Sequence, residues 1–160
     1  GDEFAVGSTR IRTYALNHPG GCLAFRLENA GRVFVFATDH EQPQVPDPGL
    51  ASFAHKADLL YTEGQYLQTE YDGTTAVPGD FPLRRRGWGH SPMEACVTTA
   101  LAARVRQLHV GHREPRRGDD QIAECERYLQ RLAREELARL GRPADECAVS
   151  IPYEGLTVQV

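Results

Sequence analysis

The sequence predicts an α/β protein in which helices pack on a sheet. Three observations carry this. Apolar runs of strand length alternate with turn chemistry over residues 10–61. Two segments with helical apolar periodicity follow, at 91–105 and 119–140. A strand-length run at 107–111 separates them. Strands interleaved with helices that each have one apolar face leave a sheet as the surface for those faces.

Residues 10–16 read as a strand that runs into Asn17-His18-Pro19-Gly20-Gly21, a dense turn. Residues 22–27 read as a second strand, and Glu28-Asn29-Ala30-Gly31 as a hairpin turn. Residues 32–37 (Arg-Val-Phe-Val-Phe-Ala) are nearly continuously apolar, which predicts a strand buried on both faces. Three prolines make 42–49 a loop, a short helix is expected over 50–55, and 57–61 is another strand. Residues 68–87 read as one long loop, a kind of segment that is often functional inside a compact domain. Ser91 as N-cap, Pro92 at the first helical position and Glu94 three residues after the cap predict a capping box, with Val97, Leu101 and Val105 on one face. The last helix is expected from Asp119-Asp120 to Leu140, stopped by Gly141 and Pro143, with Ile122, Cys125, Leu129, Leu132 and Leu137 on its apolar side. Residues 147–151 and 156–160 read as a closing hairpin.

A chain of 160 residues can bury the core of one domain. A formal net charge of -4 gives no broad polycationic surface, so bulk nucleic-acid binding is not implied. No apolar run reaches membrane-span length, and Gly1-Asp2-Glu3 opens the sequence without a signal-like stretch, so a cytoplasmic location is expected. Cys22, Cys96, Cys125 and Cys147 have no close spacing and are expected to be reduced thiols.

His18, Asp39, Glu63 and His112 each follow an apolar strand. Such positions gather at one sheet edge, where ligands of α/β proteins bind. Imidazole and carboxylate suit zinc, manganese or iron. Of the other histidines, His40 reads as a neighbour of this group, and His55 and His109 as structural or exposed.

Four segments also carry a family resemblance. Leu16-Asn17-His18-Pro19-Gly20-Gly21 resembles the third metal-binding motif of metallo-β-lactamase-fold hydrolases. Phe36-Ala37-Thr38-Asp39-His40-Glu41 resembles the fourth, and Val110-Gly111-His112-Arg113-Glu114-Pro115 the fifth. Gly87-Trp88-Gly89-His90-Ser91 is similar to the Gly-His-Ser segment of the phosphodiesterase branch, which includes transfer-RNA 3′-processing endonucleases. The family's first signature, His-x-His-x-Asp-His, is absent from the sequence.

The resemblance implies the C-terminal half of an αββα sandwich, a mixed sheet with helices on one face, spanning residues 1–160. It implies His18 on a first metal, Asp39 bridging two, and His112 on the second, with zinc first and manganese or iron as alternatives. Glu63 and His90 would form the acid pair near the leaving group. Asp39, Glu63 and His90 would then be catalytic, and Arg86, Trp88 and Ser91 would contact substrate. The implied activity is phosphodiester hydrolysis by a metal-activated water in the complete protein, with the chain alone inactive. Expected partners are a small phosphodiester or nucleotide and the missing N-terminal half or a second chain; a homo-oligomer is also allowed. Two other readings stay open: a non-catalytic, partner-binding half, and a lactone, thioester or β-lactam hydrolase of the same fold.

Overall fold

The computed structural model describes all 160 residues. Seven strands form one sheet in sequential order: β1 (Glu3–Val6), β2 (Thr9–Leu16), β3 (Cys22–Asn29), β4 (Arg32–Ala37), β5 (Leu59–Glu63), β6 (Gln107–Gly111) and β7 (Ala148–Ser150). The first three pairings are antiparallel and the last three parallel. The helices are α1 (Pro48–Phe53), α2 (Gln68–Tyr71), α3 (Met93–Ala103) and α4 (Asp119–Arg139).

The register divides the sheet into two unlike faces, because paired residues point the same way. One row runs Arg26, Val35, Leu60, Leu108, Val149 across β3 to β7. All but Arg26 are in the core, under α1, α3 and α4. α3 is the central helix and is buried almost throughout, with alanines at 95, 100 and 103 letting it lie close to the sheet. α4 buries only Cys125, Leu129, Ala133 and Leu137, a stripe at four-residue spacing. The opposite row runs Thr13, Phe25, Phe36, Tyr61 across β2 to β5 and carries no helix. Phe36 is 39% exposed and stacks on Tyr61 with ring centroids 5.2 Å apart.

Several expectations change. The strand at 32–37 is not buried on both faces, because Phe36 lies on the open one. β1 was not foreseen: all four of its residues are exposed, so burial imposes no pattern on them. The segment 68–87 contains α2. α3 begins at Met93, with Pro92 in an extended conformation at its cap. Ser91 and Glu94 do not form a capping box, because tertiary partners take both side chains: Ser91 Oγ donates to the His40 carbonyl, and Glu94 accepts from the Gln68 amide and the Tyr128 hydroxyl. Val105 lies past the end of α3, although it is still buried. The closing hairpin does not form. β7 joins β6 in parallel, Pro152 interrupts the chain beyond it, and 156–160 is not a strand. The four cysteines are free thiols, Cys22 only half-buried. No helix is long and apolar enough to cross a membrane.

Candidate metal centre

The topology brings the chemistry together. β4, β5 and β6 are parallel, and β2, antiparallel to β3, runs in their direction, so all four carboxyl ends meet at one edge. His18 lies just beyond β2, Asp39 beyond β4, Glu63 ends β5, and His112 follows β6. Asp39 (φ 60°) and His112 (φ 46°) both have left-handed backbones, a conformation that costs non-glycine residues about 1–3 kcal/mol and that concentrates at functional sites.

Asp39 is the hub. Its Oδ1 lies 4.0 Å from His18 Nε2 and 3.6 Å from His112 Nδ1. His112 Nδ1 is also 3.6 Å from Glu63 Oε2. Donor atoms of Asp39, Glu63, His90 and His112 all lie within 4.8 Å of one another. His18 joins this group through Asp39, and its ring meets the His90 ring edge-on at 5.4 Å. Zinc bonds of about 2.0–2.1 Å would put neighbouring tetrahedral donors about 3.3 Å apart. The separations around Asp39 therefore fit a divalent ion after small side-chain movements, and the nitrogen and oxygen donors suit one.

Glu63 is completely buried and saturated with donors. Its Oε1 accepts from the His40 amide at 2.8 Å, and its Oε2 accepts from the Asp39 amide at 3.0 Å and lies 2.9 Å from His90 Nδ1. That hydrogen bond with Glu63 raises the His90 pKa, against the opposing effect of burial. His40 is a neighbour of the centre: its Nδ1 accepts from the Asn17 amide, so Nε2 donates to Asp47 at 2.7 Å. His109 is buried, which lowers its pKa, and His55 is exposed.

The loop before α3 is fitted tightly to the histidines. Gly89 has φ +90°, and a Cβ there would come within 2.5 Å of the His18 ring. At Gly111, a Cβ would lie 1.9 Å from the Tyr61 hydroxyl oxygen.

Of the residues expected to contact substrate, Arg86 and Trp88 are exposed. Ser91 is fully buried, and its hydroxyl is used internally, by the His40 carbonyl and the Gln42 amide. It supports the turn and has no surface for a ligand. The neighbouring Arg85 is not a solvated loop residue. It is buried between Tyr66 and Trp88 and pairs with Asp80.

Sequence reasoning missed Glu41. Its buried carboxylate accepts from the Gly87 and Gly89 amides and from the Tyr71 hydroxyl, and so holds the loop that carries His90. The only sequence signal was a carboxylate two residues after Asp39, flanked by polar residues.

No family model matches the sequence, and no curated protein matches it. In three dimensions the chain is similar to the metallo-β-lactamase fold protein YhfI from Bacillus subtilis, at 16% identity and a TM-score of 0.65, over 97% of this chain and 51% of that one. It is also similar to human tRNase Z, short form (ELAC1), at 20% identity and a TM-score of 0.54, over 71% of this chain and 39% of that one. With helices on one face of a mixed sheet and this likeness over nearly its whole length, the chain has the metallo-β-lactamase fold, and it spans about half the length of a protein built on it.

Proposed function

We propose that this chain is the C-terminal half of a metal-dependent phosphodiester hydrolase and is inactive by itself. The observation that carries this is the convergence of His18 and His112 on Asp39, with the Glu63–His90 pair beside them. His18 would hold one ion, His112 a second, and Asp39 both. Zinc suits this imidazole–carboxylate set best, ahead of manganese or iron. When bound, two such ions supply an activated water and neutralise charge on a phosphoryl group. Glu63 accepts from His90 Nδ1–H, which leaves Nε2 as the nitrogen able to give a proton to the departing oxygen. Trp88, which lines a cavity together with His90, would meet a small phosphodiester or nucleotide, whereas Arg86 lines a different cavity. The similarity to a tRNase Z, an enzyme named for action on tRNA, favours phosphodiesters over lactones, thioesters or β-lactams.

Three donors are too few for a clamp with metals about 3.5–4 Å apart. The remaining ligands would come from a second half-domain seated on the open face around Phe36 and Tyr61, within the same protein or on a second chain. That uncovered face also favours a second reading, a partner-binding half without catalysis.

Hydrolysis of bis-p-nitrophenyl phosphate with zinc or manganese tests the proposal. The chain alone is expected to stay at background. Robust turnover by it would overturn the half-domain reading. Weak zinc binding that His112→Ala abolishes is expected in equilibrium dialysis, and no binding even at millimolar zinc would favour the partner-binding reading.

A further inference from the structure

We propose that a cavity beside the metal centre, bounded by Asn17, Gln42, Gln68 and Arg86, is a separate site for a singly charged oxyanion, a phosphodiester or a carboxylate. The cavity has a volume of about 400 Å³, and none of His18, Asp39, Glu63, His90 or His112 lines it. The proposal goes beyond the hydrolase reading and does not depend on it.

The first support is Gln42, which is only 9% exposed. Its Oε1 accepts a hydrogen bond of 2.6 Å from the Thr99 hydroxyl. That separation is ordinary for O–H···O and short for N–H···O, which sets Oε1 rather than Nε2 toward Thr99, while the Asp47 amide donates to the same hydroxyl at 2.9 Å. The buried Nε2 is left without a partner. Buried donors are nearly always satisfied, so an unpaired one on a residue that lines a cavity marks a place for an acceptor.

The second support is Arg86. Its guanidinium is exposed on the same cavity and has no acceptor in the protein, although its neighbour Arg85 is fully engaged. A planar guanidinium fork matches the two oxygens of a phosphodiester or carboxylate. Of the other wall amides, Asn17 Nδ2 donates to the Glu41 carbonyl and Gln68 Nε2 to Asp72, and the exposed Gln44 is unengaged. The free donors are therefore an arginine and two carboxamides, of which Gln42 alone is buried.

Charge sets the valence. Glu41 also lines the cavity, with its oxygens occupied by Gly87, Gly89 and Tyr71. Its negative charge balances Arg86. A near-neutral wall with free donors accepts one negative charge more readily than two.

The test uses the full chain without metal. The Gln42 side-chain amide signal is followed by NMR as dimethyl phosphate, acetate or inorganic phosphate at pH 8 is added. Saturating shifts with a monoanion, weaker ones with the phosphate dianion, are expected. Tighter binding of dimethyl phosphate assigns the site to a phosphodiester, and tighter binding of acetate to a carboxylate. Arg86→Gln, at an exposed position that leaves the fold intact, should weaken binding about tenfold, the loss of one charge-assisted contact. His112→Ala should leave it unchanged. The proposal is overturned if no saturating shift occurs, if Arg86→Gln binds as well as the parent chain, or if His112→Ala abolishes binding.

Discussion

His90 Nδ1 lies 2.9 Å from Glu63 Oε2, and the same carboxylate holds the backbone amides of Asp39 and His40. One buried group thus ties the turn after β4 to the loop before α3. Glu63→Gln removes the charge that favours imidazolium, so the His90 pKa should fall. The sign follows from the raised value. Stabilisation by protonated His90 is complete below the unfolded pKa of about 6.5, and it fades as pH rises through the higher folded value. NMR titration of the His90 ring in both proteins checks this. An unchanged pKa would mean that Glu63 does not control the ring.

Zinc should raise the melting temperature of the chain, since an ion that binds only the folded state stabilises it by about 2.7 kcal/mol at 100 times its Kd. His112→Ala and Asp39→Asn remove donors that lie 3.6 Å apart and should weaken zinc at least tenfold. His55→Ala, at an exposed histidine remote from the sheet edge, is the control and should change nothing. Calorimetric titration separates these cases. Equal affinity in all four proteins would place zinc elsewhere.

The strands and α4 were legible because burial wrote itself into their spacing, as at Cys125, Leu129 and Leu137. The positions of His18, Asp39, Glu63 and His112 after strands were legible for the same reason: they stand where apolar runs stop. Ser91 was misread because the local pattern Ser-Pro-x-Glu is a good helix start, while the long-range contact with His40 that captures the hydroxyl spans 51 residues and leaves no local trace. Glu41 was missed for that reason too, since its partners at Gly87 and Gly89 are 46 and 48 residues away. β1 escaped because an exposed edge strand has no apolar alternation to show.

Glu41→Ala should free the loop that holds His90. The substitution leaves the Gly87 and Gly89 amides and the Tyr71 hydroxyl without their acceptor. Unsatisfied buried groups cost about 1–3 kcal/mol each, less where water reaches them. Hydrogen exchange is expected to accelerate at Gly87 and Gly89 well before it does in α3. Unchanged protection at those amides would show that the loop is held by other contacts.

Glu28 pairs with Arg26 on its own strand and with Arg10 and Arg12 of β2, and the hydrogen bonds from Arg26 and Arg10 hold its carboxyl at about 2. A depressed carboxylate pKa gives stability that is complete above the unfolded value of about 4.3 and is lost as pH falls through the folded one. Glu28→Gln should therefore lower the melting temperature at pH 6 but little at pH 2. Melting curves across this range test the sign. A difference that grows as the pH falls would refute the assignment.

The two faces of the sheet should respond differently to truncation. Leu60 is fully buried under the helices, and Leu60→Ala should cost about 2–5 kcal/mol, the loss of contacts plus the cavity it leaves. Phe36 gives up mainly its stacking on Tyr61, worth about 0.5–1.5 kcal/mol. Phe36→Ser should therefore leave the isolated chain folded, with a smaller loss in urea melts than Leu60→Ala. It should also reduce any self-association, because it places a hydroxyl in the middle of the exposed aromatic row that a covering half-domain would bury. If Phe36→Ser destabilised the monomer as much as Leu60→Ala, that face would already be packed within the chain, with no room on it for a second half.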